Sequence, residues 1–132
     1  FVAPQLEPAD MPDIAASGIT TIFCNRPDAV VPPDYQADAI EAAAVAAGLA
    51  FHRLPLTHTT MTPDNVQRHA AVIAGADGPT LAYCASGTRS TVVWTLGHAK
   101  AMGVDEVLNA ARAGGYNLDN IRPTLEAIAA AP

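Results

Sequence analysis

The chain has 132 residues, half of them apolar, and a formal net charge of −6. That length and apolar content suffice for one ordinary core, so residues 1–132 are expected to form a single domain. Seven basic against thirteen acidic residues exclude a basic nucleic-acid-binding face, and no apolar run approaches the ~20 residues of a membrane span, whereas a small anion bound locally is compatible.

Residues 2–6 predict a short edge strand limited by Pro4. Phe1-Val2-Ala3-Pro4 has neither an initiator Met nor a charged n-region, so it is no intact signal peptide. Asp10 places a capping acid before Met11-Pro12, and Gly18 ends that first helix. The β-branched, apolar run 19–24 predicts a buried strand, broken by Asn25-Arg26-Pro27-Asp28. Pro32-Pro33-Asp34 introduces an alanine-rich helix over about 35–47, stopped by Gly48. Residues 49–54 form the next strand, ended by Pro55 and followed by a polar loop to Met61. Thr62-Pro63 starts a helix running to Ala74, and Gly75 with Asp77-Gly78-Pro79 turns the chain into a strand over 80–83. Three helices follow, over about 90–101, 105–113 and 118–130. Strands alternating with helices predict an α/β fold of three layers, a mostly parallel central sheet flanked by helices. Ligands of such sheets sit at the carboxyl ends of the strands, and Cys84 lies at one such end.

Cys84-Ala85-Ser86-Gly87-Thr88-Arg89-Ser90 carries the chemistry. A cysteine ending a strand, a loop with a glycine and an arginine opening a helix make an anion cradle of loop amides and helix dipole. Such a field favours the thiolate, so Cys84 is expected to be a nucleophile. Two cysteines make no disulfide framework, so a reducing, cytoplasmic setting is expected.

Four residues, Ala85 to Thr88, separate Cys84 from Arg89. Tyrosine and dual-specificity phosphatases place one residue more in this loop, whereas rhodanese-type sulfurtransferases use a tighter one. The smaller bowl suits a terminal sulfur on Cys84 better than a tetrahedral phosphate. A phosphatase also uses a general acid, contributing about 10²–10⁴-fold. The loop after the 49–54 strand, where dual-specificity phosphatases carry that acid, has no carboxylate; His58 is its titratable residue. Asp64 belongs to the first turn of the following helix. Sulfur transfer, which needs less leaving-group protonation, is therefore the preferred expectation, with a cysteine-based phosphatase as the alternative.

The chain resembles the beta-lactamase hydrolase-like family of small bacterial phosphatase-like domains. The resemblance rests on Gln5-Leu6-Glu7-Pro8-Ala9-Asp10, Asn25-Arg26-Pro27-Asp28, Leu54-Pro55-Leu56-Thr57, the segment from Tyr83 to Ser90, and Gly114-Gly115-Tyr116. It implies a dual-specificity or tyrosine-phosphatase-like fold with phosphatase or sulfurtransferase activity, the latter in sulfide and persulfide handling. It also implies a persulfide dioxygenase as partner, since some members are fused to one, and no beta-lactam activity. Members commonly carry arginine after the nucleophile where this chain has Ala85, so weaker binding of dianions such as thiosulfate is expected.

Each candidate role has a structural alternative. Cys84 as the persulfide-forming nucleophile competes with a buried core thiol, and a non-catalytic persulfide carrier or sensor is a further alternative. Arg89 clamps an anion or braces the loop; its fork geometry suits either. Ser90 donates to the thiolate or caps the helix, and Gly87 supplies an unusual backbone angle or close ligand approach. Cys24, ending a neighbouring strand, is a resolving thiol or, preferably, a small core side chain. Arg26 borders the pocket or pairs with Asp28. His58 is an exposed loop residue or the substitute acid. His52, His69 and His98 show no metal-ligand spacing, and no metal or organic cofactor is expected. Trp94 is expected in the core, and Tyr116 either lines the pocket or packs.

Overall fold

The computed structural model describes residues 1–27, 31–57 and 59–131. Among these residues four strands, β1 (Val2–Ala3), β2 (Thr21–Cys24), β3 (Ala50–Arg53) and β4 (Thr80–Tyr83), form one sheet in the order β1-β4-β2-β3. Every pairing is parallel: Thr21 lies between Ala50 and Thr80, Cys24 between Arg53 and Tyr83, and Ala3 beside Tyr83. Among the described residues, six α-helices surround it: α1 (Met11–Ala16), α2 (Ala37–Ala46), α3 (Pro63–Gly75), α4 (Thr88–Met102), α5 (Val104–Ala113) and α6 (Arg122–Ala130). The three-layer α/β arrangement is the one the strand–helix alternation predicts.

The central strands β2 and β4 are buried along their whole length, so Thr-Ile-Phe-Cys and Thr-Leu-Ala-Tyr read as apolar runs rather than alternations. Period-two geometry still sorts their side chains. Ile22, Cys24, Leu81 and Tyr83 join Leu6, Met11 and Ile40 in a core beneath α1 and α2. Phe23 points the other way and stacks on His69 of α3, with ring centroids 4.6 Å apart. On that side α4 packs against α3, α5 and α6, and Ala99, Val107, Leu108 and Leu125 form a second cluster. Fully burying side chains of this size contributes about 1.5–3 kcal/mol each.

Several boundaries differ from the sequence-based ones for local reasons. β1 stops at Ala3 instead of reaching Leu6, because Pro4 cannot donate to the ladder. Asp10 does not cap α1; its carboxylate accepts from Glu7 N–H (2.9 Å) and closes a 3₁₀ turn at Pro8–Asp10. A second such turn at Pro33–Tyr35 delays α2 to Ala37. Thr62 does cap α3, its hydroxyl accepting from Asn65 N–H (3.3 Å) ahead of Pro63. The largest functional difference is at α4, which begins at Thr88 and so takes Arg89 into its first turn. Among the described residues no helix is long and apolar enough to cross a membrane.

Candidate active site

The carboxyl ends of β4, β2 and β3 bring residues 84–90, 25–26 and the loop from Leu54 to one end of the sheet. Cys84 leaves β4 with its amide on the Ala3 carbonyl (3.4 Å), and the residue is 2 % exposed. The chain then turns sharply. Gly87 adopts φ +91°, the left-handed conformation that glycine reaches without a Cβ clash. This geometry aims the Gly87 N–H at Cys84 Sγ, 3.1 Å away. The sulfur thus faces the loop at the amino end of α4, where an amide donor and the helix dipole both stabilise negative charge.

The loop is braced at three carbonyls. Gln5 N–H donates to the Ala85 carbonyl (3.2 Å), Tyr116 O–H to the Ser86 carbonyl (2.9 Å) and Thr91 Oγ1–H to the Gly87 carbonyl (2.8 Å). Ser86 Oγ donates to Thr88 Oγ1 (3.0 Å), and Ala85, Ser86 and Thr88 remain exposed. Arg89 uses one guanidinium N–H on the Leu56 carbonyl (3.4 Å), tying α4 to the loop after β3. Its other donors have no hydrogen-bond partner among the described residues, and the planar fork suits an oxyanion.

Ser90 does neither of the things its sequence position suggests. Its buried hydroxyl donates to Asn25 Oδ1 (2.9 Å). Asn25 Nδ2 donates to the Leu54 carbonyl (3.1 Å), which fixes the amide orientation, and His69 Nε2 lies 3.1 Å from the same Oδ1. Asn25, His69 and Ser90 are all essentially inaccessible. Burial in apolar surroundings, with a smaller contribution from His98, pushes the His69 pKa down to about 4, so the ring is neutral near pH 7. Neither Asn25 nor His69 stands out from sequence as a site residue. The available signals are a polar residue directly after a buried strand, and a histidine on the Val66–Ile73 apolar stripe of α3.

The two cysteines sit in different surroundings. Cys24 Sγ lies in the core beneath α1 and α2, 3.5 Å from the Arg26 carbonyl, while Cys84 Sγ faces Gly87. Arg26 is half-buried and donates to Gln5 Oε1 (2.8 Å), the residue whose amide braces Ala85. His58 and Asp28 lie outside the described residues. Trp94 is only partly buried, packed against the second core cluster and stacked on His98. Among the described residues no cluster of three or more His, Cys, Asp or Glu is arranged to hold a metal ion.

A cysteine at this strand end, facing the amide of a left-handed glycine on a three-layer parallel scaffold, marks the phosphatase-like class of cysteine-based domains. The chain belongs to the family described as beta-lactamase hydrolase-like protein, phosphatase-like domain, whose model matches residues 1–101. It is 34 % identical over 116 residues to a beta-lactamase hydrolase-like protein of Xylella fastidiosa, covering 86 % of this chain and 27 % of that protein. The chain spans about a quarter of the length of the curated relatives it matches. Among solved structures it is similar to a candidate phosphatase from Neisseria meningitidis: 38 % identity, TM-score 0.83, covering 96 % of this chain and 91 % of that one. A kinase-associated phosphatase shares the fold, with a TM-score of 0.67 at 15 % identity over 95 % of this chain and 79 % of that one.

Proposed function

We propose that this domain is a cysteine-dependent phosphohydrolase acting on small phosphate monoesters. The observation that carries the proposal is the Gly87 N–H on Cys84 Sγ, with Arg89 in the adjoining helical turn. The phosphatase-like relatives weigh in the same direction, against the preference for sulfur transfer drawn from loop length. In the first step the Cys84 sulfur attacks phosphorus, an S–P bond forms, and the ester P–O bond breaks to release an alkoxide or phenoxide. Arg89 and the loop amides hold the equatorial oxygens. Water then attacks the same phosphorus, releasing inorganic phosphate and restoring the thiolate.

The loop after β3 has no carboxylate in its sequence, so the leaving group departs with little protonation. Aryl phosphates should therefore outpace alkyl phosphates by about the 10²–10⁴-fold that a general acid supplies. Phosphate release from p-nitrophenyl phosphate should vanish in Cys84→Ser and fall strongly in Arg89→Lys. Undiminished turnover in Cys84→Ser overturns the assignment. A second function, transfer of a sulfane sulfur through a Cys84 persulfide, is favoured by one specific feature: the four-residue span from Ala85 to Thr88. Thiocyanate formation from thiosulfate and cyanide, measured beside phosphate release, distinguishes the two.

A further inference from the structure

Asn25 is fully buried just beyond the carboxyl end of β2, so it touches no substrate. Its polar groups nevertheless meet four segments around the nucleophile loop. The backbone N–H donates to the carbonyl of Tyr83, the residue before Cys84 (2.9 Å), and the backbone carbonyl accepts from Leu56 N–H (2.9 Å). Nδ2 donates to the Leu54 carbonyl (3.1 Å), at the start of the loop that holds Leu56. Oδ1 accepts from the Ser90 hydroxyl (2.9 Å) in the first turn of α4 and meets His69 Nε2 (3.1 Å) of α3. With Nδ2 committed to a carbonyl, Oδ1 faces His69, and the ring donates from Nε2. A carboxylate of the same shape would lack the donor for Leu54. These bonds approach Arg89 from two sides. Its chain neighbour Ser90 is tied to Asn25 Oδ1, and its guanidinium donates to the carbonyl of Leu56 (3.4 Å), whose own N–H is held by Asn25.

We infer that Asn25 is the positioning residue for Arg89. It sets α4 and the loop after β3 at the separation over which the guanidinium grips Leu56 and still presents its remaining donors to a substrate oxyanion. The inference deepens the phosphohydrolase reading of the same site and rests on it for the choice of substrate. Removing the Asn25 amide leaves the Ser90 hydroxyl, the Leu54 carbonyl and the His69 N–H unpaired in the interior, and their search for new partners shifts both supports of Arg89.

The test is a double-mutant cycle on p-nitrophenyl phosphate, run with the 132-residue chain below the melting transition of every variant. Asn25→Ala should lower kcat/KM about tenfold and raise KM about threefold, because Arg89 holds the bound ester as well as the transition state. A mere loss of folded protein lowers kcat and leaves KM alone. In an Arg89→Ala background the same substitution should change kcat/KM by less than about twofold, the resolution of such cycles. If Asn25→Ala does not melt cooperatively, Ser90→Ala, which breaks only the bond to α4, should give the same pattern with a loss of about threefold. An unchanged kcat/KM, a fall in kcat with KM unmoved, or an equal loss with Arg89 absent each overturns the inference. Failure of both variants to fold also overturns it, since the network would then support the core instead of the site. A parent chain inactive on p-nitrophenyl phosphate overturns the phosphohydrolase reading alone, and the cycle is then read on thiosulfate and cyanide; inactivity on both overturns the inference as well.

Discussion

Gly87 is where the local conformation of the loop and its long-range packing meet. A Cβ there would lie 2.0 Å from Tyr116 Oη, and the backbone sits at φ +91°. Gly87→Ala therefore cannot keep both the turn and the brace. It should lower kcat/KM for an aryl phosphate by about 10²-fold, the usual cost of displaced positioning groups, with a stability loss of about 1–3 kcal/mol. Steady-state kinetics beside urea unfolding check both figures. His69 yields a pH prediction. Its folded pKa, about 4, lies below the free-histidine value of 6.5, so the unfolded chain takes up the proton first as pH falls. The contribution is complete above 6.5 and drains away between 6.5 and about 4, up to about 3 kcal/mol. His69→Gln should flatten that part of the acid response, seen as a smaller difference between urea midpoints at pH 7 and pH 4.5. The Cys84–Ser90 loop is legible in sequence because its parts are contiguous. The Asn25–His69–Ser90 network is not, because its bonds join residues 44 and 65 positions apart.

Element types are written clearly in this chain and element partners are not. Buried apolar runs and glycine or proline punctuation mark β2, β4 and the helices within a few residues. The strand order β1-β4-β2-β3 depends on pairings between distant runs of similar composition, which periodicity does not distinguish. The early start of α4 was hidden for a related reason. Gly87 reads as a loop residue, yet its left-handed conformation lets it serve as the N-cap. The connection after α5 is the clearest test of how elements support the site, since Tyr116 reaches from it to the Ser86 carbonyl. Tyr116→Phe removes one hydrogen bond, worth about 1 kcal/mol, and should leave the thermal midpoint nearly unchanged. It should nevertheless lower kcat, with KM moving less, because the brace positions the loop without defining its fold.

At the scale of the whole molecule, the phosphohydrolase reading draws positive potential from the amino terminus of α4 and from Arg89 within an acidic chain. Its net charge of −6 argues for small substrates bound by local geometry, with little long-range steering. The family and the scaffold were legible from the Asn-Arg-Pro-Asp segment and the cysteine loop together. The choice between phosphoryl and sulfur chemistry was not, because loop length measures the bowl only indirectly and a cysteine at a strand end is compatible with both. The covalent intermediate distinguishes them. Acid-quenched protein taken during turnover of an aryl phosphate should carry one phosphoryl group, mapped by mass spectrometry to the Cys84 peptide and absent from Cys84→Ser. A Cys84 peptide that stays unmodified with phosphate esters but gains one sulfur atom from thiosulfate would contradict the phosphohydrolase account.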